Sequence, residues 1–294
     1  KWEIFKMFEM IINPKKVERH PWEMFFVGLV YAGLSVLIVQ WVFSGDAVLS
    51  KYSGVLLVTF CVMFSFPFVY YLFKLEEEKD EKFDSIPKIL GGHSTAIQSF
   101  MWLFLGFVVA FAILNTLMPG TIMFKAQIQT YCVINSPMNM DDCVARYALD
   151  KTTSSVATGN AMKELRLLSI MENNIYVLMF TLVFSLIFGA GAIFILAWNA
   201  SVIAAAIGIF TQYDWKDLPF GIARYMIHGF PEIAAYFIAA LAGGILGVEI
   251  IKYGVKSNRF LRVMGNTIIL LFFSIIVLVV AALVEVYITP LIFS

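Results

Sequence analysis

Charge is the scarcest property of this chain: 14% of its 294 residues are Asp, Glu, Lys or Arg, against roughly 25% in an ordinary soluble domain. The 21 cations and 21 anions cancel, so no net field draws the chain to nucleic acid. There are only three histidines and three cysteines, and His20, His93 and His228 stand in separate segments, which excludes a local structural zinc motif. No Walker A loop, HExxH or GxSxG pattern sets a nucleophile beside its base. Ser44, Gly45 and Asp46 form the end of an intramembrane aspartyl-protease motif but lack its leading glycine. The expectation is a protein without cofactor, metal or catalytic residues, that is, not an enzyme.

What is abundant is apolar surface. Sixty per cent of the residues are hydrophobic, including 28 Phe, 12 Tyr and 6 Trp, more than a soluble core of this size needs. An all-α polytopic membrane bundle follows, because in lipid an unclosed span can satisfy its backbone only within a helix. Runs near the ~20 residues that cross the hydrocarbon lie at 24–43, 54–73, 98–118, 175–198, 233–251 and 267–288. The basic start shows no cleavable signal segment, so the first span is expected to direct targeting.

The chain divides into a cytoplasmic amphipathic segment (1–23), three spans with a cytoplasmic loop at 74–97 (24–118), an extracytoplasmic loop (119–174) and a membrane core (175–294). Lys1, Lys6, Lys15, Lys16 and Arg19 before the first span, and Lys252, Lys256, Arg259 and Arg262 before the last, place both segments in the cytoplasm. Six spans cannot meet both conditions. The apolar run 199–210 is about 18 Å of helix, too short to cross alone, and is read as a re-entrant or broken helix between spans four and five. Residues 211–230 are amphipathic, and a membrane-surface helix is the alternative.

Within this frame a few residues carry chemistry. Pro231 and Glu232 mark the expected start of the fifth span, where Glu232 meets the positive end of the helix dipole. His228, one turn earlier, is placed to pair with it. With Arg224 they form a polar group at membrane depth, read as a cap or as a proton or cation site. Asn199 is expected to bridge a helix break, and Asn173 and Asn174 to cap the fourth span. Ala239, Gly243 and Gly247 recur every four residues, with Gly189, Gly191 and Gly208 as complementary small faces, for packing within one chain or between copies. Cys132 and Cys143 are a candidate disulfide, with two free thiols as the alternative; Cys61 is read as a packing residue. The Ser/Thr-rich stretch 152–160 reads as a flexible connection, followed by a short amphipathic helix over 161–171.

The series Asn173-Asn174, Gly189 and Gly191, Asn199 with small residues to Gly208, and His228-Gly229-Phe230-Pro231-Glu232 before an Ala/Gly-rich span resembles the stage II sporulation protein M family over roughly residues 172–251. The resemblance implies a multi-span membrane protein. For the family's namesake in spore-forming bacteria it implies work in an engulfment assembly with peptidoglycan-degrading partners, although the family extends to archaea and non-sporulating bacteria. The leading expectation is a non-enzymatic membrane scaffold in the lipid bilayer, associating with itself or other membrane proteins. A channel, transporter or permease-like subunit is the alternative, and a membrane-embedded enzyme the third.

Overall fold

Each apolar run must close its own backbone hydrogen bonds in hydrocarbon, so the sequence permits helices and little else. The computed structural model describes residues 20–80, 86–118, 122–135, 140–149, 163–188, 192–256 and 258–292, and every regular element among them is helical. In order these are α1 (Met24–Ile38), α2 (Ser53–Asp80), α3 (Ile86–Gly92), α4 (Ser94–Leu117), α5 (Lys125–Asn135), α6 (Met140–Leu149), α7 (Lys163–Phe188), α8 (Ala192–Phe210), α9 (Leu218–Tyr253), α10 (Asn258–Leu283) and α11 (Thr289–Ile292). Seven helical stretches are long and apolar enough to cross a membrane: α1 with its flanking turns (Pro21–Phe43), α2, α4 and α7 to α10.

The count corrects the expected six spans and the half-helix. The run at 175–198 is not one span: α7 ends at Phe188 and α8 begins at Ala192. Residues 199–210 are the second half of α8, whose 19 residues measure about 28 Å and suffice to cross. An apolar run carries no charge to mark a reversal, and Gly189 and Gly191, which lie outside the described residues, are the mark that sequence offers. The seventh crossing removes the parity conflict. The ends of α2 and α9 and the start of α10 meet at one end of the bundle, where Glu77 touches both Lys252 and Arg259.

The start of the sixth span is corrected too. α9 runs unbroken for 36 residues with Pro231 inside it, so residues 218–230 belong to the spanning helix. The proline withholds one N–H from the Ile227 carbonyl, a defect that burial among neighbouring helices tolerates in membranes. Likewise α7 already contains Asn173 and Asn174, which therefore cap nothing, and it absorbs the short helix expected ahead of the span. The stretches 1–19 and 152–160 lie outside the described residues.

α9 is the central post. In its most apolar window 83% of residues are buried inside the protein, against 22% in α7 and 33% in α10, which face outward. Small residues make this possible: a Cβ on Gly243 would strike the Leu182 carbonyl, and one on Gly247 would lie 2.5 Å from the Leu186 carbonyl. The backbones of α7 and α9 are thus in contact, and Ser185 Oγ donates to the Ala240 carbonyl across the same seam. Ala239 is buried on this helix, so the small face is spent inside one chain, on α7. Gly28 and Gly106 bring α1 and α4 equally close, a Cβ on Gly106 lying 2.9 Å from Gly28 Cα. Between these seams the rings of Phe73, Phe100 and Phe237 fill the centre, with Phe100 stacked on Phe237 at 5.0 Å.

At the other end of the bundle, α5 and α6 form a hairpin closed by the Cys132–Cys143 disulfide. Ile128 and both cysteines pack on Ala205 and Ile209 of α8. Gln127 Nε2 donates to the Gly54 carbonyl of α2 at 2.8 Å, and Asn115 Nδ2 reaches the Ala204 carbonyl at 3.4 Å. Gly208 leaves room for Asn115 and the Tyr213 ring, so it serves this cap rather than a small face complementary to Ala239, Gly243 and Gly247.

Replacing Gly243 by Val forces α7 and α9 apart. An overpacking cost of about 1–3 kcal/mol is expected in the unfolding free energy measured in detergent micelles, whereas the same change at Gly265, whose Cβ position is open, should be much milder.

Candidate functional site

Two polar constellations lie at opposite ends of α9. The first contains the residues singled out in the sequence. Glu232 is half-buried and its Oε1 accepts the Tyr236 hydroxyl at 2.8 Å. The buried Asn174 amide of α7 hydrogen-bonds the same carboxylate, and Glu285 of the last span lies within electrostatic range. The expected partner, His228, is turned elsewhere: its Nδ1 meets Thr289 Oγ1 at 3.3 Å. One helical turn gives residues four apart the chance to meet, but Tyr236, four residues further on, fills that role from the other side.

Thr289 and Glu285 are brought to this face by a π-helical turn over Val284–Ile288, in which Thr289 Oγ1 also bonds the Val284 carbonyl five residues back. Such turns are rare and mark positions where a helix must re-aim its side chains. Arg224 sits above this group with its guanidinium 4.6 Å from the centre of the Phe210 ring, and its charge also acts on Tyr131 and Tyr225. The structure therefore gathers Arg224, His228 and Glu232 along one stretch of α9. Asn199 is not among them. It lies inside α8, where Nδ2 bonds the Ile195 carbonyl of its own helix, so there is no break for it to bridge.

The second constellation was not anticipated. α2 carries Glu76, Glu77 and Glu78 past the end of its apolar run, and the first two are completely buried. Glu76 is shared between Lys79 Nζ and the buried His93 Nδ1, both at 2.7 Å. Glu77 takes Lys252 Nζ at 2.5 Å on one oxygen and Arg259 Nη2 on the other. Arg259 Nε goes on to Glu249 Oε2 at 2.8 Å, which ties α10 back to α9. Three spanning helices and the link before α4 are thereby knotted at one level. In the sequence this acid run reads as part of the cytoplasmic loop at 74–97, because runs of charge are usually solvated. The available signal was its continuity with a helix, with no Gly or Pro from Phe68 to Asp80.

Among the other acids, Asp46 proves to be a turn cap: its Oδ1 accepts the N–H groups of Leu49 and Val48, which hold its carboxyl below the usual carboxylate range. No group of three or more His, Cys, Asp or Glu with metal-holding geometry occurs among the described residues.

Chemically, both constellations hold helices together, and the first also gathers two carboxylates and an imidazole between α9 and the last span. Removing one member of a buried ion pair strands the others. Glu77→Gln should therefore lower the unfolding free energy in micelles by about 3 kcal/mol or more. Glu78→Gln, at the exposed neighbouring acid, should change it by about 0.5 kcal/mol or less.

No curated protein and no solved structure matches the chain. A family model does: the one described as Stage II sporulation protein M matches residues 95–290, which include α4, both ends of α9 and the last span. The chain is a multi-pass membrane protein that belongs to the stage II sporulation protein M family.

Proposed function

We propose that this protein is a non-enzymatic membrane scaffold that holds other membrane proteins, or a second copy of itself, and organises the bilayer around them. One observation carries the reading: three conspicuous polar side chains of the bundle, Glu232, Asn199 and Glu77, are engaged within the chain. Glu232 is occupied by Tyr236 and Asn174, Asn199 by its own helix, and Glu77 by two cations. The Gly243/Gly247 face, the best surface for a close helix partner, is taken by α7. What remains outward is apolar, as at Tyr176, Phe180 and Ile187 of α7.

The same reading sets the amino terminus, residues 81–93 and residues 254–257 in the cytoplasm and residues 119–162 outside. Lys74, Lys88, Lys252, Lys256 and Arg262 at one end support it. So does the disulfide at the other, since such bonds persist in oxidising compartments.

The channel or transporter reading has its own support in the two carboxylates, His228 and the π-helical turn gathered at one place. Flux of protons, sodium and potassium into liposomes holding the whole protein separates the two. The scaffold reading expects leak rates equal to protein-free liposomes for both the natural sequence and Glu232→Gln. Flux that disappears in a folded Glu232→Gln variant would overturn it in favour of a pathway.

A further inference from the structure

The link between α9 and α10 has an unusual surface. Gly254, at φ 74° with its N–H bonded to the Ile250 carbonyl, ends α9 and turns the chain sharply towards α10. A side chain would be strained in that backbone conformation, so the turn is a tight tip projecting just beyond the ion-pair knot. On this tip apolar and basic residues alternate: Ile251, Lys252, Tyr253, Gly254, Val255, Lys256. Ile251 is 81% exposed and Val255 56%, although such side chains are ordinarily withdrawn from water.

The four cations here divide into two kinds. Lys252 and Arg259 are neutralised inside the bundle by Glu77 and Glu249, with Glu78 a further 4.0 Å from Lys252. Lys256 and Arg262 are exposed and hold no ion pair among the described residues. Arg262 stands beside Leu261, itself 61% exposed. Exposed aliphatic groups interleaved with cations that hold no ion pair among the described residues, at the level where a span leaves the hydrocarbon, match the two parts of a phospholipid. The acyl boundary takes Ile251, Val255 and Leu261; the phosphate takes the cations. Tyr253, whose ring lies 4.3 Å from the Arg259 guanidinium carbon, has the amphipathic character favoured at headgroup depth.

We propose that the α9–α10 turn is a binding site for the headgroup of an anionic phospholipid, with Lys256 and Arg262 as its phosphate ligands. Zwitterionic lipid offers the same acyl boundary without net negative charge, so the discrimination rests on the two cations. Each cation near an anionic surface is worth about fivefold in affinity, so losing both should weaken retention on the order of 20-fold.

The test uses the whole protein in nonionic detergent and native mass spectrometry, counting bound lipid during titration with phosphatidylglycerol or phosphatidylcholine. The natural sequence is expected to retain phosphatidylglycerol preferentially. A Lys256→Gln, Arg262→Gln double variant should lose that preference while unfolding at the same temperature, because neither side chain takes part in the ion-pair knot. Lys125→Gln, removing an exposed cation at the opposite end of the bundle, should keep it. Equal retention of the two lipids by the natural sequence would overturn the proposal. So would an unchanged preference in the double variant, an equal loss in Lys125→Gln, or inorganic phosphate binding as tightly as phosphatidylglycerol.

Discussion

Glu77 accepts a lysine and an arginine from the far ends of two other spans, and the bundle is arranged around that meeting. A carboxylate stripped of water is costly unless its oxygens are taken up, and here both are. Arg259 passes the tie on to Glu249, and the adjacent Glu76 draws in His93 just before α4. The ends of α2 and α9 and the starts of α4 and α10 are fixed at a common level by these contacts. Their apolar lengths then determine how far the opposite ends extend. The hairpin of α5 and α6, held by its disulfide and by Gln127, closes that far end.

Between the two ends the stabilising principle changes. Lipid tails are as apolar as leucine, so helices gain little from hiding apolar surface and much from close contact. Gly243 and Gly247 bring the backbones of α9 and α7 together, and Gly28 and Gly106 do the same for α1 and α4. α9 can therefore be both long and nearly enclosed. Its polar residues are dispersed along it: Arg224, His228 and Glu232 towards the hairpin end, and Glu249 and Lys252 towards the charged end.

Much of this was legible in the sequence, and the omissions have physical causes. Hydropathy identified a helical membrane bundle, since length and apolarity are what define a span. It could not separate α7 from α8, because two apolar helices joined by a few small residues read as one run. Pro231 marked a helix start by local preference, yet a membrane helix keeps a proline in its interior when neighbours enclose it. The family motif pointed to His228 and Glu232, but their partners are distant in sequence: Asn174 on α7, and Glu285 and Thr289 on the last span. Glu285 did carry a signal of its own, as a lone acid in an otherwise apolar stretch. The buried acids of α2 were missed for the opposite reason: the continuing helix is a local signal, but the cations that take up its acids arrive from residues 252 and 259.

The account treats Glu232 as a structural tie, and a double-mutant cycle tests that most directly. Unfolding free energies in micelles would be measured for Glu232→Gln, Tyr236→Phe and the pair. The account predicts that the hydroxyl and the carboxylate stabilise the fold jointly, with a coupling of about 1 kcal/mol, so that much of the cost of one change disappears once the other is made. Effects that add to within about 0.3 kcal/mol would contradict it, leaving the carboxylate energetically independent of its partner.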